Sequence, residues 1–154
     1  MKKKIVILGS TGSIGKNLIN IIEKEKNKFQ IDLLSARKDH KTLFKQVKKF
    51  KVKNVIITDP SSYLILKKKT NNLDVNIFNN YIELESILKK KVDYVMSSIV
   101  GVDGLYPTID IIKHTKKIAI ANKESIICGW GIIQRELSKY QTEFIPVDSE
   151  HFSL

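Results

Sequence analysis

The sequence predicts an α/β fold of the doubly wound type, a mostly parallel sheet with helices on both faces. Three observations predict it. Short apolar runs alternate with amphipathic stretches along the whole chain, the pattern of strand–helix units. The first run is apolar without alternation, as in a strand buried on both faces. A glycine loop joins that run directly to the first helical pattern.

The elements follow in order. Residues 4–8 are the first strand. In 14–26, Ile14, Leu18, Ile21 and Ile22 share one helical face. Residues 30–34 are a second strand. Residues 40–50 are a helix with Leu43, Phe44, Val47 and Phe50 inward, and Asp39 is placed to cap it. Residues 54–58 are a third strand, after which Pro60 opens a short helix, where its missing N–H costs nothing. A strand over 75–78 and a helix over 81–88 come next. Residues 94–97 are a strand, followed by the turn Val100-Gly101-Val102-Asp103-Gly104. A helix over 105–114, a strand over 118–121, a helix over 125–140 and a strand over 142–147 complete the chain. Residues 1–140 read as one domain. Residues 141–154 read as the start of a second, cut in mid-course.

Composition narrows the class. The chain has 154 residues, of which 42% are hydrophobic, enough for a single domain with its own core. Global disorder, a collagen-like chain and a disulfide scaffold are excluded. The single cysteine, Cys128, cannot form an internal bridge and reads as a small buried residue of a reducing compartment. No apolar run reaches the ~18 residues of a membrane span. The run after Lys2-Lys3-Lys4 is short of the roughly 7–15 residues of a signal-peptide core. A cytoplasmic protein with no membrane partner is expected. Lys+Arg is 27 against 16 Asp+Glu, a net charge of +11. The only arginines are Arg37 and Arg135, and the lysines are scattered. A nucleic-acid face recruits arginine for its bidentate fork, so the charge reads as a solvated surface with no nucleic-acid partner.

The loop Gly9-Ser10-Thr11-Gly12-Ser13-Ile14-Gly15 leaves a strand and opens a helix. Glycine allows a tight turn and close approach of backbone to a pyrophosphate. Free N–H groups and the helix dipole then face the anion. The spacing G-x-x-G-x-x-G points to a Rossmann-like dinucleotide site; the alternative is a plain tight turn. In an NAD site an acidic residue after the second strand holds the ribose. Here the sequence is Ser35-Ala36-Arg37-Lys38, whose cations suit a 2′-phosphate and favour NADPH.

Two further motifs stand at strand ends. In Ala121-Asn122-Lys123-Glu124-Ser125, Asn122 is placed either to cap the next helix or to meet a ligand, and Lys123 is placed to meet a substrate anion. In Pro146-Val147-Asp148-Ser149-Glu150-His151, Asp148 and Glu150 fall on one side of an extended segment. Such a pair suits Mg²⁺ or Mn²⁺, or else is a polar loop. His40, His114 and His151 are too dispersed for a metal triad, and His114 reads as a dipole partner at a helix C-terminus. Trp130 lies between Gly129 and Gly131 with no functional reading.

Together these motifs, with Ile99-Val100-Gly101, Gly104-Leu105 and Pro107-Thr108, resemble the 1-deoxy-D-xylulose 5-phosphate reductoisomerase family. The resemblance implies a two-step reaction. A divalent metal chelates the substrate oxygens while the carbon skeleton rearranges. NADPH then reduces the resulting aldehyde to 2-C-methyl-D-erythritol 4-phosphate, in the non-mevalonate route to isoprenoids. It implies that Thr11, Gly12, Ser13 and Ile14 hold the cofactor pyrophosphate, and that Arg37 and Lys38 lie at its adenosine phosphate. Asn122 and Glu124 contact the cofactor and Lys123 meets the phosphosugar substrate. Asp148 and Glu150 ligate the metal, and Ser149 and Glu150 reach the substrate. Lys123, Asp148 and Glu150 are thus the catalytic residues. The family commonly has Gly-Lys-Asn where this chain has Arg37-Lys38-Asp39. It also continues into catalytic and helical domains carrying a third carboxylate, a flap and a homodimer interface. The 154 residues alone are therefore expected to bind cofactor without turnover. The alternatives are another NADP-dependent reductase of small metabolites, such as a homoserine or aspartate-semialdehyde dehydrogenase, or a stand-alone NADP-binding module.

Overall fold

The computed structural model describes residues 1–147. The strands are β1 (Lys3–Leu8), β2 (Phe29–Ala36), β3 (Asn54–Ile57), β4 (Asn76–Phe78), β5 (Tyr94–Ser97), β6 (Lys117–Ile120) and β7 (Glu143–Pro146). The helices are α1 (Ser13–Lys24), α2 (His40–Phe50), α3 (Pro60–Lys69), α4 (Leu84–Ile87), α5 (Leu105–Ile111) and α6 (Lys123–Tyr140), with 3-10 turns at Val102–Gly104 and Ile112–His114. The strands form one sheet in the order β4-β3-β2-β1-β5-β6-β7. The doubly wound fold predicted from sequence is present, and each described pairing is parallel. The chain winds outward from β1 to β4. It then returns to the other side of β1 and winds outward again through β7. The switch point lies between β1 and β5, where open α/β sheets bind ligands.

Strand β1 shows why its sequence is apolar throughout. Ile5 and Ile7 join the core beneath α1, α2 and α3, with Ile19, Ile22, Leu43, Val47 and Leu66. Val6 and Leu8 point to the opposite face, among Leu84, Ile111, Ile133 and Leu137 of α4, α5 and α6. All four β1 residues are buried. Trp130 of α6 packs on Phe144 of β7 with ring centroids 5.4 Å apart, tying the last strand to the helix before it.

Three helices carry the side-chain caps their sequences offer. Asp39 accepts the Thr42 N–H at 2.9 Å, Asp59 the Ser62 N–H at 2.9 Å, and Asn122 the Ser125 N–H at 3.0 Å. Each such cap contributes about 1 kcal/mol. Helix α1 differs: its N-cap is Gly12, which makes no side-chain bond.

Several details differ from the sequence reading. Ile21 is 57% exposed, and the buried line of α1 is Gly15, Ile19 and Ile22. Gly15 has to face the loop backbone, which fixes the rotation of the helix and turns Ile21 outward. Cys128 is exposed rather than buried, because the inward line of α6 runs Ser125, Gly129, Ile133 and Leu137. The helix expected over 105–114 ends at Ile111 and tightens into a 3-10 turn. The helix expected over 81–88 is the single turn of α4. His114 is only 8% exposed, and its Nε2 is buried without a hydrogen-bond partner.

Burial is the main cause that lowers the His114 pKa, and Lys113 adds to it. Asp110, Glu85 and the Leu88 backbone act in the opposite direction without prevailing. The unfolded chain therefore binds a proton more readily than the folded one. We expect stability to be full above pH 6.5, the ordinary histidine value, and to fall as pH drops through the lowered folded pKa. Urea midpoints measured from pH 8 to pH 5 should show this slope in the wild type and lose part of it in His114→Leu. Equal slopes would show that the imidazole does not carry it.

Candidate functional site

The three glycines of the first loop serve different ends. Gly9 has φ +81, and a Cβ there would lie 2.7 Å from the Ser98 carbonyl oxygen. A Cβ on Gly15 would lie 2.6 Å from Ser10 Cα. Both positions are therefore fixed by the fold. Gly12 is extended, with φ −75, and a Cβ would meet only the Gly9 oxygen at 3.5 Å. Nothing inside the protein requires glycine there. An open N-cap without a side chain leaves the first N–H groups of α1 facing outward, as an anion site needs.

Side chains from β2, from α2 and from the segments after β4 and β5 hold this loop. Gly9 N–H donates to Ser35 Oγ at 3.1 Å, and the Tyr81 hydroxyl donates to the same oxygen at 2.9 Å. Gln46 Nε2 donates to the Ser10 carbonyl at 2.9 Å and its Oε1 accepts Ser10 Oγ at 2.8 Å. Ser98 Oγ donates to the Leu8 carbonyl at 2.8 Å. Burial pushes the Tyr81 phenol up to about 12, partly offset by its bond to Ser35. It is thus a neutral donor throughout the physiological range.

A cleft of about 550 Å³ opens over the loop. Its floor is Gly9, Thr11, Gly12 and Ser98. One wall is Ala36, Arg37, Thr58 and Tyr81, and the other is Ile99, Val100, Asp103, Tyr106 and Pro107. Of the residues expected from sequence, the structure brings Thr11, Gly12 and Arg37 together here, with Ser13 and Ile14 opening α1 just behind. Lys38 follows Arg37 and does not line the cleft. Arg37 Nη1 stands 3.7 Å from Asp103 Oδ2 on the opposite wall.

Asn122 stands back from the cleft. While its Oδ1 caps α6, its Nδ2 donates to the carbonyls of Ile99 and of Gly101, the latter at 2.7 Å. It thereby ties the turn after β5 to the end of β6. Gly104 packs on the same amide, and a Cβ there would lie 2.8 Å from the Ile99 oxygen. Lys123 and Glu124 begin α6; Lys123 is exposed and Glu124 half-buried. Asp148, Ser149, Glu150 and His151 lie outside the described residues. Among the described residues, three or more His, Cys, Asp or Glu nowhere gather as metal ligands would.

Tyr81, Ser98, Asp103 and Tyr106 were not singled out as site residues from sequence. The available signal was positional: Ser98 and Asp103 follow β5, the strand that pairs with β1 across the switch point. A second cleft, about 590 Å³, lies at the opposite end of the sheet among Lys4, Lys26, Lys49, Lys51 and Lys53. The C-termini of α1 and α2 end there, and the lysines offset their negative dipole ends.

A parallel, doubly wound sheet with an open glycine loop at its switch point defines a Rossmann-like, dinucleotide-binding class of domain. Within that class the chain belongs to the 1-deoxy-D-xylulose 5-phosphate reductoisomerase family, whose profile matches residues 5–130. It is 57% identical over 154 residues to the reductoisomerase of Pelagibacter ubique, covering 99% of this chain and 40% of that protein. The corresponding protein of Thermodesulfovibrio yellowstonii is 40% identical over 153 residues, 97% of this chain and 39% of its own. The Zymomonas mobilis reductoisomerase solved in complex with NADPH superposes with a TM-score of 0.89 at 32% identity, covering 98% of this chain and 40% of that one. The chain thus spans about 40% of the length of these relatives. Homoserine dehydrogenase of S. aureus, at 14% identity and TM-score 0.54, shares the fold alone.

The two kinds of glycine are separable by experiment. Gly9→Ala should lower stability by about 2 kcal/mol or more, through positive φ and contact with Ser98. Gly12→Ala should cost about 1 kcal/mol or less, since its backbone suits any residue. Denaturant midpoints of the two variants check this. Equal losses would show that Gly12 too is required by the fold.

Proposed function

We propose that this chain is the NADPH-binding part of a 1-deoxy-D-xylulose 5-phosphate reductoisomerase. The complete enzyme converts 1-deoxy-D-xylulose 5-phosphate to 2-C-methyl-D-erythritol 4-phosphate with a divalent metal, for isoprenoid synthesis. The observation that carries the reading is the open N-cap of α1 at Gly12, set in the switch-point cleft where no internal contact requires glycine. Family membership and the Zymomonas mobilis complex with NADPH support it. Relatives solved with magnesium and with fosmidomycin support the metal and a phosphosugar substrate.

The residues divide the work. Thr11, Gly12, Ser13 and Ile14 present backbone N–H groups to the pyrophosphate at the positive end of α1. Arg37 and Lys38 meet the 2′-phosphate as cations beyond β2. Tyr81, held neutral, and Ser35 keep the loop in its binding shape. Asn122 orients the cofactor wall by fixing the turn after β5, and Glu124 borders it. Lys123, at the first position of α6, meets the substrate anion. Asp148 and Glu150 are proposed as ligands of Mg²⁺ or Mn²⁺, with Ser149 and Glu150 reaching the substrate. Bound NADPH supplies the hydride for the reduction of the aldehyde.

The test uses Gly12→Asp. Aspartate is a preferred N-cap residue, so α1 should be unharmed or slightly stabilised. Its carboxylate would occupy and repel the pyrophosphate position. We expect NADPH to bind the wild-type 154 residues saturably and to bind the variant at least tenfold more weakly, with a denaturant midpoint equal to or slightly above that of the wild type. With substrate and Mg²⁺ added, the 154 residues alone should not oxidise NADPH. Failure of the wild type to bind, or equal binding by the variant, would overturn the assignment.

A further inference from the structure

The cofactor cleft carries a charge that opposes its proposed ligand. Arg37 leaves the end of β2, and its backbone is fixed by the Asp59 N–H donating to its carbonyl at 2.9 Å. Asp103 sits in the 3-10 turn Val102–Gly104, fixed by Gly101 at φ +80 and by Gly104 packed on Asn122 and Ile99. The two side chains meet across the mouth of the cleft at 3.7 Å, with 75% and 71% of their surfaces exposed. That separation is beyond a direct hydrogen bond, and an exposed pair of this kind contributes little to stability. The pair is therefore not a strut. The guanidinium is free to exchange its partner. The other carboxylate near Arg37, Asp59, is engaged as the cap of α3 by the Ser62 N–H and hydroxyl.

We propose that Asp103 sets the dinucleotide specificity of the cleft, as the carboxylate that competes with a 2′-phosphate for Arg37 and accepts a ribose 2′-hydroxyl in its absence. This rests on the reading of the cleft as an NADPH site. A 2′-phosphate docked on Arg37 and Lys38 is attracted by two cations and repelled by Asp103. A 2′-hydroxyl finds in Asp103 the acceptor that an acidic residue after the second strand supplies in NAD sites. Here the acid comes from across the switch point, and the space after the second strand is held by the cations. The preference for NADPH is a difference between opposed charges, and it stays below what Arg37 and Lys38 alone would give.

The test is titration of NADPH and NADH into wild type, Asp103→Asn, Arg37→Ala and the double variant, at low and at high salt. Asp103→Asn should raise the NADPH-to-NADH affinity ratio about fivefold at low salt, the effect of one charge near a dianion across water. NADPH should tighten and NADH should not. The gain should shrink at high salt and be smaller on the Arg37→Ala background, where only the direct repulsion between Asp103 and the 2′-phosphate is left to relieve. An unchanged ratio in Asp103→Asn, with Arg37→Ala still lowering it, would overturn the proposal and leave the NADPH site standing. So would a lowered ratio, which would make Asp103 an orienting partner of Arg37. If wild type binds neither dinucleotide, or Arg37→Ala leaves the ratio unchanged, the reading of the cleft fails, and this inference with it.

Discussion

The architecture depends on one close approach of backbone to backbone. The β1–α1 loop passes so near the end of β5 that Gly9 would drive a side chain into Ser98, and it folds back so tightly that Gly15 would drive one into Ser10. These two contacts set the path of the chain out of β1 and the rotation of α1 on the sheet. The open groove over the switch point follows from both. A glycine inside a helix costs about 1 kcal/mol relative to alanine, and Gly15 accepts that cost for contact with the loop. The polar ring of Ser35, Gln46, Tyr81 and Ser98 then satisfies the loop's carbonyls and amides. Buried groups of this kind are expensive when unpaired.

How much of this was legible depended on whether the signal was local. The alternation of runs and the Gly9–Gly15 loop are local patterns, and the fold class, the strands' order of appearance and the strand-to-helix glycine loop followed from them. The caps at Asp39 and Asn122 were legible for the same reason. Ile21 and Cys128 were misplaced because helical spacing admits neighbouring faces. The choice among them was made by Gly15 against Ser10 and by Gly129 against Leu105. His114 was read as a dipole partner at a helix end, and its burial was not legible, because nothing in its neighbours shows that the 3-10 turn folds it inward. Tyr81 and Asp103 were missed as cleft residues for a further reason. They reach the cleft from segments far apart in sequence from the loop, and only the pairing of β5 with β1 brings the Asp103 turn over it.

Parallel strands give the sheet two unlike ends. The connecting helices run antiparallel to the strands, so their C-termini gather at one end and their N-termini at the other. The net charge of +11 follows this division in part: lysines in the last turns of α1, α2, α3 and α6 face the negative dipole ends. At the opposite end, α2, α3 and α6 close their own N-termini with Asp39, Asp59 and Asn122. Only α1, among these four longer helices, begins without a side-chain cap. Among these four helices the N-terminal dipole end is thus left without a side-chain cap only at the switch point.

The groups that fix the loop's shape and those left open toward a ligand are consequently for the most part different residues. Gly9, Ser10, Ser35, Gln46 and Ser98 are engaged within the protein; Thr11, Gly12, Arg37, Asp103 and Tyr106 border open space. Because the first set is already bonded, the loop is shaped before any ligand arrives, and binding does not have to order it. That lowers the entropic cost of association. It also leaves the second set free to vary in charge without disturbing the sheet. Arg37 facing Asp103 belongs to that second set: in its proposed role the pair tunes what the cleft prefers, while the β1–α1 turn beneath it stays the same.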